Sequence, residues 1–309
     1  MKVLKGPWAG WERPAAPTSV TIGVLDGVHR GHRALIDRLE PSMLRTVLTF
    51  DPHPVEVLRP GTAPRLITTI EERISLLEAT GVEWAGVLDL AEIREQAPEE
   101  FVEDVLSGKL GVAHLVVGID FRFGRDRSGD VPLLQRLAPG LGFVVETIDL
   151  VSEDGTPVSS SRIRGLVEEG RVVDAASLLG RWYAMTNTVV DGDKRGGQIG
   201  YPTANIRPPG RKVVPRAGVY ATFVALGDGT RLDAAVNVGV RPTFGGGELL
   251  VEAHILDFSD DIYGREMTVE FVEYLRPELE FAGVEELVDQ MGDDVAQTRE
   301  ILDRARTRI

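Results

Sequence analysis

The sequence contains no cysteine, few aromatic residues and no long hydrophobic run. None of its 309 residues is Cys, which excludes disulfides, thiolate nucleophiles and metal sites with sulfur ligands. Aromatic residues make up 6% of the chain. No apolar run approaches the roughly 18 residues of a membrane-spanning helix, and the first residues lack the apolar core of a signal peptide. We therefore expect a cytoplasmic protein without a membrane partner.

Positive charge is scarce as well. The chain has 34 Lys and Arg against 48 Asp and Glu, which gives a formal net charge of −14. Nucleic-acid-binding proteins normally present a basic face, whereas the basic pieces here are short, such as Arg122 to Arg127. We therefore expect small-molecule partners and no nucleic acid, and the composition leaves the oligomeric state open. Nucleotide substrates are compatible with this acidity, because helix N-termini, glycine loops and Mg²⁺ hold phosphates locally.

The chain divides into two stretches that differ in their pattern of predicted strands and helices. This difference predicts two domains, 1–180 and 181–309. The first stretch alternates short apolar strands with amphipathic helices and predicts a Rossmann-like α/β sheet of buried parallel strands. Two of its helices have recognisable starts, a capping box at Thr69 and Glu72 and a proline at Pro98. The predicted strands are Val20–Val24, Leu44–Phe50, Trp84–Leu88, His114–Val117 and Phe143–Ile148.

The second stretch places strands one after another without helices between them. Turn sequences occur at Asp228-Gly229 and Tyr263-Gly264, where hairpins need tight turns. This pattern predicts an antiparallel sheet, and closure into a small β-barrel removes the sheet edges. A terminal amphipathic helix begins at Val284, whose side chain we place on the apolar face that packs on the barrel. The predicted strands are Tyr183–Val190, Val219–Leu226, Leu232–Val238, Leu249–Phe258 and Met267–Tyr274.

The first stretch is organised around Gly23–His32, which we call the histidine turn. It follows an apolar strand and opens a helix, whose N-terminus offers unpaired backbone N–H groups and about half a positive charge. His29 and His32 are three residues apart, so both imidazoles face one side of the helix. Gly23 and Gly31 let a ligand approach the backbone closely. The turn therefore suits a phosphate chain, and two exposed loop histidines are the alternative interpretation.

Three further loops follow predicted strands. The prolines of Asp51–Pro54 restrict the backbone, and a rigid turn is one of two interpretations of this loop, the other being a part in the site at the strand ends. In Gly118–Gly124, Asp120 lies beside an aromatic pair that includes Phe121 and is suited to gripping a flat ring; a turn with two core phenylalanines is the alternative. Ser159–Arg164 places three serines and two arginines at a helix start. An N-cap explains only one serine, whereas hydroxyls, helix N–H groups and arginines together suit a triphosphate.

Two segments of the second stretch carry candidate chemistry. Thr203 and Asn205 follow Gly200 and present two neutral oxygen ligands, which point to one face if the segment is extended. Mg²⁺ accepts such oxygens together with substrate phosphates, although a simple turn is the default interpretation. Glu252 and His254 alternate with apolar residues along a strand, so they share its polar face. An ordinary solvent-facing side of a strand is the alternative there.

These segments resemble one family. The histidine turn is similar to the HxGH signature of nucleotidyltransferases and resembles the bacterial riboflavin kinase/FAD synthetase family, with Leu25 where that family usually has Phe. The run Pro-Thr-Ala-Asn that ends at Asn205 is the signature of riboflavin kinases and a more specific marker than HxGH. Further segments that resemble this family are Gly118–Gly124, Ser159–Arg164, Asn237–Phe244, Val251–Ile255 and Asp261–Gly264.

The resemblance implies two activities on one chain. The N-terminal Rossmann-like domain is then a nucleotidyltransferase that joins FMN to AMP from ATP. The C-terminal β-barrel is then a kinase that phosphorylates riboflavin to FMN. The implied cofactor is Mg²⁺, with ATP, riboflavin and FMN as substrates.

The resemblance also assigns residues to these roles. The implied catalytic residues of the adenylylation are His29, His32, Ser160, Ser161 and Arg164, with Ser161 in place of the family's Thr. The implied nucleotide- and flavin-binding residues of that domain are Gly23, Asp26, Gly31, Asp120, Phe121 and Arg162. In the kinase, Glu252 is the implied general base, Thr203 and Asn205 hold Mg²⁺, and Gly200 lies at the nucleotide.

The chain departs from the family pattern at two kinase positions. Gly197 stands where the family commonly has a second Arg, and Glu280 stands where a basic residue is frequent. Loss of positive charge there weakens the binding of ATP or flavin phosphate. Two other interpretations therefore stay open: an enzyme in which only the FMN adenylyltransferase half works, and a regulator that senses flavin or nucleotide without turnover. A pure binder has no need of a base such as Glu252, which favours the enzyme.

Overall fold

The computed structural model describes residues 1–190, 199–241 and 248–307. The chain forms two compact units, which we describe separately. The first unit comprises Met1–Pro64 and Thr68–Ser160, and the second comprises Arg65–Ile67 and Ser161–Ile309. The division between Ser160 and Ser161 lies earlier in the chain than the domain boundary that we expect after residue 180. The domain boundary at residue 180 stays a prediction. Within the described ranges, no helix is long and apolar enough to cross a membrane.

The first unit is built on parallel strands, as its apolar pattern predicted. Its strands are β1 Lys2–Leu4, β2 Thr18–Ile22, β3 Leu44–Phe50, β4 Trp84–Leu88, β5 Val112–Gly118, β6 Arg122–Phe123, β7 Gly129–Asp130, β8 Val144–Ile148, β9 Ser152–Glu153 and β10 Thr156–Pro157. Six of them form one sheet in the order β1-β4-β3-β2-β5-β8, with every neighbouring pair parallel. All five residues of β2 are buried, so this strand lies at the centre of the core.

Two differences from the predicted strands have local causes. The edge strand β1 was missed, because three residues are too few to show a pattern. The central strand ends at Ile22 rather than at Val24, because the chain already turns there and Leu25 has a φ of +52°. By contrast, β3 and β4 have the predicted bounds.

Helices cover the sheet of the first unit. They are α1 Arg30–Ile36, α2 Pro54–Leu58, α3 Ile70–Glu78, α4 Pro98–Glu100, which continues as the π-helix Phe101–Lys109, and α5 Val131–Leu141. Short 3₁₀ turns occur at Trp8–Gly10, Leu90–Glu92 and Arg125–Arg127. The predicted capping box is confirmed, since the Glu72 N–H donates to Thr69 Oγ1 at 3.2 Å and the Thr69 N–H donates to Glu72 Oε2 at 2.9 Å.

The second unit contains helices α6 Ser160–Glu168, which starts at the last residue of the first unit, and α7 Val172–Leu179, and ends with α8 Val284–Ala305. Its described strands are β11 Tyr183–Thr188, β12 Ala204–Ile206, β13 Gly218–Leu226, β14 Arg231–Arg241, β15 Glu248–Ile255 and β16 Glu266–Arg276. They form one antiparallel sheet in the order β11-β16-β13-β14-β15-β12. Val190, just past β11, pairs with Asn205 of β12. The two edges of the sheet therefore meet, which is the predicted barrel.

The turns and the final helix of the second unit test two predictions. Both predicted turns are confirmed, with left-handed backbone at Gly229 (φ +87°) and Gly264 (φ +75°). Helix α8 packs on β13, β14 and β16. However, Val284 is 61% exposed, so its placement on the packed face is wrong. The first three residues of α8 are exposed, and the buried residues of the helix begin only at Asp294; they are Asp294, Thr298, Ile301, Leu302 and Ala305.

Candidate active sites

The histidine turn has a strained backbone. Leu25 and Val28 have φ values of +52° and +40°, and between them Gly27 has +87°. The left-handed region costs a residue with a side chain about 1–3 kcal/mol. Leu25 is 1% exposed and Val28 is fully buried, so packing helps to hold them. Strain kept at one place in a fold is typical of functional sites.

The turn brings its two histidines together. His29 is the N-cap of α1, and its Nδ1 accepts the N–H of His32 at 3.3 Å. The two imidazole rings stack with centroids 3.5 Å apart and planes 16° apart. This juxtaposition confirms the prediction from their spacing. His29 is only 4% exposed, so the alternative of two exposed loop histidines is wrong.

The glycines of the turn make room for neighbouring side chains. A Cβ at Gly31 would lie 3.2 Å from Nδ1 and Cε1 of His29. The glycine between the two histidines therefore lets the His29 ring fold over the backbone. Similarly, a Cβ at Gly23 would lie 3.2 Å from Leu25 Cδ2. Contact of Gly23 and Gly31 with a ligand stays a prediction.

Asp26 fixes the turn from inside. Its side chain is buried, and Oδ1 accepts the N–H of Thr68 at 3.0 Å and its hydroxyl at 3.1 Å. The hydroxyl of Thr68 in turn accepts the N–H of Gly27 at 3.0 Å. Ser160 Oγ donates to the Asp26 carbonyl oxygen at 3.0 Å. The structure therefore places Ser160 at the histidine turn, while a contact of Asp26 with nucleotide stays a prediction.

The residues after Ser160, from Ser161 to Arg164, group with the second unit. Ser161 is exposed, and Arg162 and Arg164 are half-buried. Arg164 Nη1 donates to Ser161 Oγ at 3.4 Å, one helical turn away. Their action in the adenylylation stays a prediction.

The loop after β5 contains Asp120 and Phe121 and leads into Phe123 of β6. β5 is the neighbour of β2 in the sheet, so this loop and the histidine turn leave the same edge. Phe123 is a core residue, 8% exposed, and Phe121 stacks on it with centroids 5.6 Å apart. Asp120 is exposed and Phe121 is half-buried. Phe123 is therefore a core residue and Phe121 packs against the same core, while Phe121 and Asp120 both retain accessible surface.

Sequence reasoning missed three residues behind the histidine turn: Thr49, Thr68 and Arg73. Arg73 is 1% exposed, and its Nη1 donates to Phe50 O at 3.0 Å and to Thr49 Oγ1 at 3.2 Å. Burial lowers the pKa of Arg73, and the charge of Asp26 opposes this shift. One signal was available, since Arg73 lies between Ile70 and Leu77 on the apolar face of α3.

In the second unit, the segment with Thr203 and Asn205 is extended. Strand β12 begins directly after Thr203, so the default interpretation as a turn is wrong. Asn205 is 2% exposed, and its Oδ1 has no hydrogen-bond partner among the residues that the structure describes. A buried acceptor without a partner is costly. Asn205 therefore fits a ligand of a cation, and Gly200, with φ +91°, gives the chain its turn just before it.

Glu252 lies at the centre of a row of polar residues, which we call the polar row: Asn205, Glu252 and Asn237. Asn205 of β12 pairs with Glu252 of β15, and Glu252 pairs on its other side with Asn237 of β14. Residues paired across antiparallel strands point to the same face. Val251 and Ala253 are fully buried on the opposite face, which confirms the predicted alternation. Asn237 was only part of a resembling segment and was not singled out.

His254 supports the loop before β12. Its Nδ1 lies 2.9 Å from the Pro202 carbonyl oxygen, and its ring meets that of Tyr201 edge-on with centroids 5.1 Å apart. This agrees with a structural role. The glycine loop from Gly192 to Gly197 and the residues Pro242 to Phe244 lie outside the described residues. Glu280 is exposed.

Within the described ranges, no group of three His, Asp or Glu side chains is placed to hold a metal ion. The candidate ligands Thr203 and Asn205 are neutral oxygens. Such ligands hold Mg²⁺ when substrate phosphates complete the coordination.

Comparison with known proteins covers both units. The FAD synthetase family matches residues 12–162, and the riboflavin kinase family matches residues 179–302. A bifunctional riboflavin kinase/FMN adenylyltransferase of Escherichia coli strain K12 is 37% identical over 309 residues, 97% of each chain. The protein of the same name from Pseudomonas fluorescens is 40% identical over 288 residues, 90% of this chain and 91% of the relative.

A solved structure shares the fold over nearly the whole chain. The crystal structure of a Streptococcus pneumoniae protein named macrolide-efflux protein has a TM-score of 0.86 at 29% identity, over 97% of this chain and 99% of that chain. The activity in that title is stated of the Streptococcus pneumoniae protein. The structural similarity supports the architecture described above.

Proposed function

The chain belongs to the bifunctional riboflavin kinase/FMN adenylyltransferase family, and on this premise we propose which residues carry out its two reactions. The protein phosphorylates riboflavin to FMN with ATP and then adenylylates FMN with a second ATP, which gives FAD and pyrophosphate. The histidine turn lies in the first unit and the polar row lies in the second, and the placement of these two clusters is the observation that carries the assignment of residues.

In the adenylylation, a phosphate oxygen of FMN attacks the α-phosphorus of ATP and pyrophosphate leaves. The FMN phosphate is already ionised, so the reaction needs positioning and charge stabilisation rather than a base. His29 and His32 at the N-terminus of α1 stabilise the phosphate chain, with Ser160, Ser161 and Arg164 as further donors. Support comes from the stacked imidazoles and from the bond of Ser160 to the turn. Asp120, Phe121 and Arg162 are proposed to contact the flavin or the nucleotide.

In the kinase reaction, the ribityl 5′-hydroxyl of riboflavin attacks the γ-phosphorus of ATP and ADP leaves. Glu252 takes the proton of that hydroxyl as general base. Thr203 and Asn205 hold Mg²⁺, which when bound neutralises charge on the phosphates. Support comes from the buried Asn205 Oδ1 and from the register that sets Glu252 beside Asn205. The cytoplasmic location and the lack of a nucleic-acid partner stay predictions from composition.

A chromatographic product assay tests the scheme. The chain is incubated with riboflavin, excess ATP and Mg²⁺, and the expected result is FMN followed by FAD. If riboflavin is untouched but added FMN becomes FAD, only the adenylyltransferase half works. If neither substrate reacts, the two-reaction scheme is wrong and the chain is a binder.

A further inference from the structure

The histidine turn begins just after β2, and a side chain of the neighbouring strand donates a hydrogen bond to one of its first carbonyl oxygens. Thr49 Oγ1 on β3 donates to the Val24 carbonyl oxygen at 2.8 Å. The next residue, Leu25, is in the left-handed region with φ +52°. Because L-residues rarely adopt this conformation, the peptide between Val24 and Leu25 needs a fixed partner to keep its orientation. Thr49 provides that partner from a neighbouring strand.

Arg73 sets the direction of this hydrogen bond. A threonine hydroxyl carries one hydrogen, and that of Thr49 goes to Val24, so its oxygen is left as an acceptor. Arg73 Nη1 donates to this oxygen at 3.2 Å. Thr49 is fully buried and Arg73 is 1% exposed, so water does not replace either group. Hydrogen bonds linked in this way strengthen one another in a low-dielectric interior.

The other end of the turn has different anchors. Thr68 holds Asp26 and Gly27, and Ser160 holds the Asp26 carbonyl. His29 then follows as the N-cap of α1. The bond from Thr49 thus fixes the entry to the turn, while Thr68 and Ser160 fix the stretch just before the histidines. Neither Thr49 nor Arg73 has a part in the chemistry proposed above.

We propose that Thr49 and Arg73 are positioning residues for FMN adenylylation, which hold the turn that carries His29 and His32 without touching the substrates. This inference rests on the proposed roles of His29 and His32. It predicts that loss of one buried hydroxyl slows this reaction alone, since a displacement of about 1 Å in a reacting group costs on the order of 10²-fold in rate.

The test uses the full-length chain and two substitutions at one position. Thr49→Val keeps the side-chain shape but removes the hydroxyl, whereas Thr49→Ser keeps the hydroxyl. We expect kcat for FMN adenylylation to fall roughly 10- to 100-fold in Thr49→Val, with the KM for FMN within about twofold of the parent. Thr49→Ser is expected to restore most of the rate. Riboflavin phosphorylation by the same preparations serves as the internal reference and is expected to stay unchanged.

Thr46→Val is the matched control. Thr46 lies on the same strand and is fully buried, but its hydroxyl donates to Leu44 O at 3.0 Å, two residues away on its own strand. Hydrogen exchange followed by mass spectrometry separates positioning from general destabilisation. In Thr49→Val, only peptides that cover residues 23–33 should exchange faster, and in Thr46→Val none should.

Three results would overturn the proposal: adenylylation within twofold of the parent in Thr49→Val, an equal loss in Thr49→Ser, or an equal loss in Thr46→Val. If Thr49→Val does not fold, Arg73→Lys decides. Lysine keeps the charge beside Asp26 but cannot reproduce the planar fork of arginine. A fall of at least fivefold in kcat for adenylylation then supports the proposal, and a value within twofold overturns it.

A His29→Asn chain separates this inference from the proposed function. If His29→Asn keeps full adenylylation, the proposed roles of the histidines fail, and the inference falls with them. If His29→Asn is inactive in adenylylation while Thr49→Val is fully active, only the positioning role is wrong.

Discussion

The two units build their sites in different ways. In the first unit, the histidine turn and the loop with Asp120 and Phe121 follow the carboxyl ends of parallel strands. In the second unit, Asn205, Glu252 and Asn237 lie in register on three neighbouring antiparallel strands. The sheet's own hydrogen bonds hold this polar row. The histidine turn depends instead on side chains from elsewhere, such as Thr49 and Thr68.

This difference predicts how each site responds to substitution. The site of the first unit should be sensitive both at the reacting side chains and at residues that hold the turn. The site of the second unit should be sensitive mainly at the polar side chains themselves, because a ladder of backbone hydrogen bonds does not depend on side chains. The following predictions test that contrast.

The largest effect is expected for Glu252→Gln. Glutamine has the same size but takes no proton, so riboflavin phosphorylation should fall roughly 10²- to 10⁴-fold. FMN adenylylation by the same chain should stay within about twofold. Initial rates with riboflavin or FMN as the starting flavin measure the two reactions separately. Retention of more than a tenth of the kinase rate would rule out Glu252 as the base.

The second prediction concerns His29→Asn. Asparagine is a good N-cap, so α1 should remain intact while the imidazole is lost. We expect FMN adenylylation to fall roughly 10²- to 10³-fold, the usual cost of one transition-state donor. The thermal unfolding midpoint and riboflavin phosphorylation should match the parent. An unchanged adenylylation rate would show that His29 only caps the helix.

The third prediction addresses the Mg²⁺ ligand. Asn205→Ala removes the buried Oδ1 that has no partner in the described part of the chain. The Mg²⁺ concentration that gives half-maximal riboflavin phosphorylation should rise roughly tenfold or more. Asn187→Ala is the control, because that side chain is also on a strand of this unit but donates to Arg207 O. An equal Mg²⁺ requirement in both variants would contradict the assignment.

A smaller effect is expected for Gly31→Ala. The new Cβ would lie 3.2 Å from the His29 ring, which must move by a few tenths of an ångström. Adenylylation should fall by roughly tenfold. Gly140→Ala is the control, because no described atom outside its chain neighbours and its own helix backbone lies within 4 Å of a new Cβ there; the change should add about 1 kcal/mol of stability. Equal activities in the two variants would show that the ring position is unimportant.

The smallest effect concerns the pH dependence of stability in the second unit. The hydroxyl and N–H of Thr230, together with Arg265, lower the pKa of Asp228 to about 2. A lowered folded-state pKa stabilises the fold above the ordinary value of 3.8, and this contribution disappears as the pH falls toward 2. The difference in urea midpoint between the parent and Asp228→Asn should therefore shrink between pH 6 and pH 2.5. A constant difference would exclude this linkage.

Local sequence patterns predicted much of this structure. The strands β3 and β4 have the predicted bounds, and the capping box of α3 is present. The histidine pair also followed from sequence, because residues three apart at a helix start must meet. These features depend on neighbours along the chain, so the pattern contains the information.

Long-range contacts were not predictable in the same way. Arg73 and Thr49 are 24 residues apart, and Ser160 and Asp26 are 134 apart. No periodicity encodes which buried hydroxyl meets which carbonyl. The placement of Val284 failed for a related reason, since the pattern of an amphipathic helix does not say where the helix leaves the sheet. The sequence predicted Asn205 as an oxygen ligand. The burial of its Oδ1 without a partner in the described part of the chain became visible only in the fold.

The most direct test of two separate sites is a mixing experiment with Glu252→Gln and His29→Asn. Each variant alone is incubated with riboflavin, ATP and Mg²⁺, and then the two are combined. We predict that Glu252→Gln leaves riboflavin untouched, that His29→Asn stops at FMN, and that the mixture produces FAD. A mixture that still forms no FAD would mean that one substitution disables both reactions, which contradicts the assignment of separate residues to the two reactions.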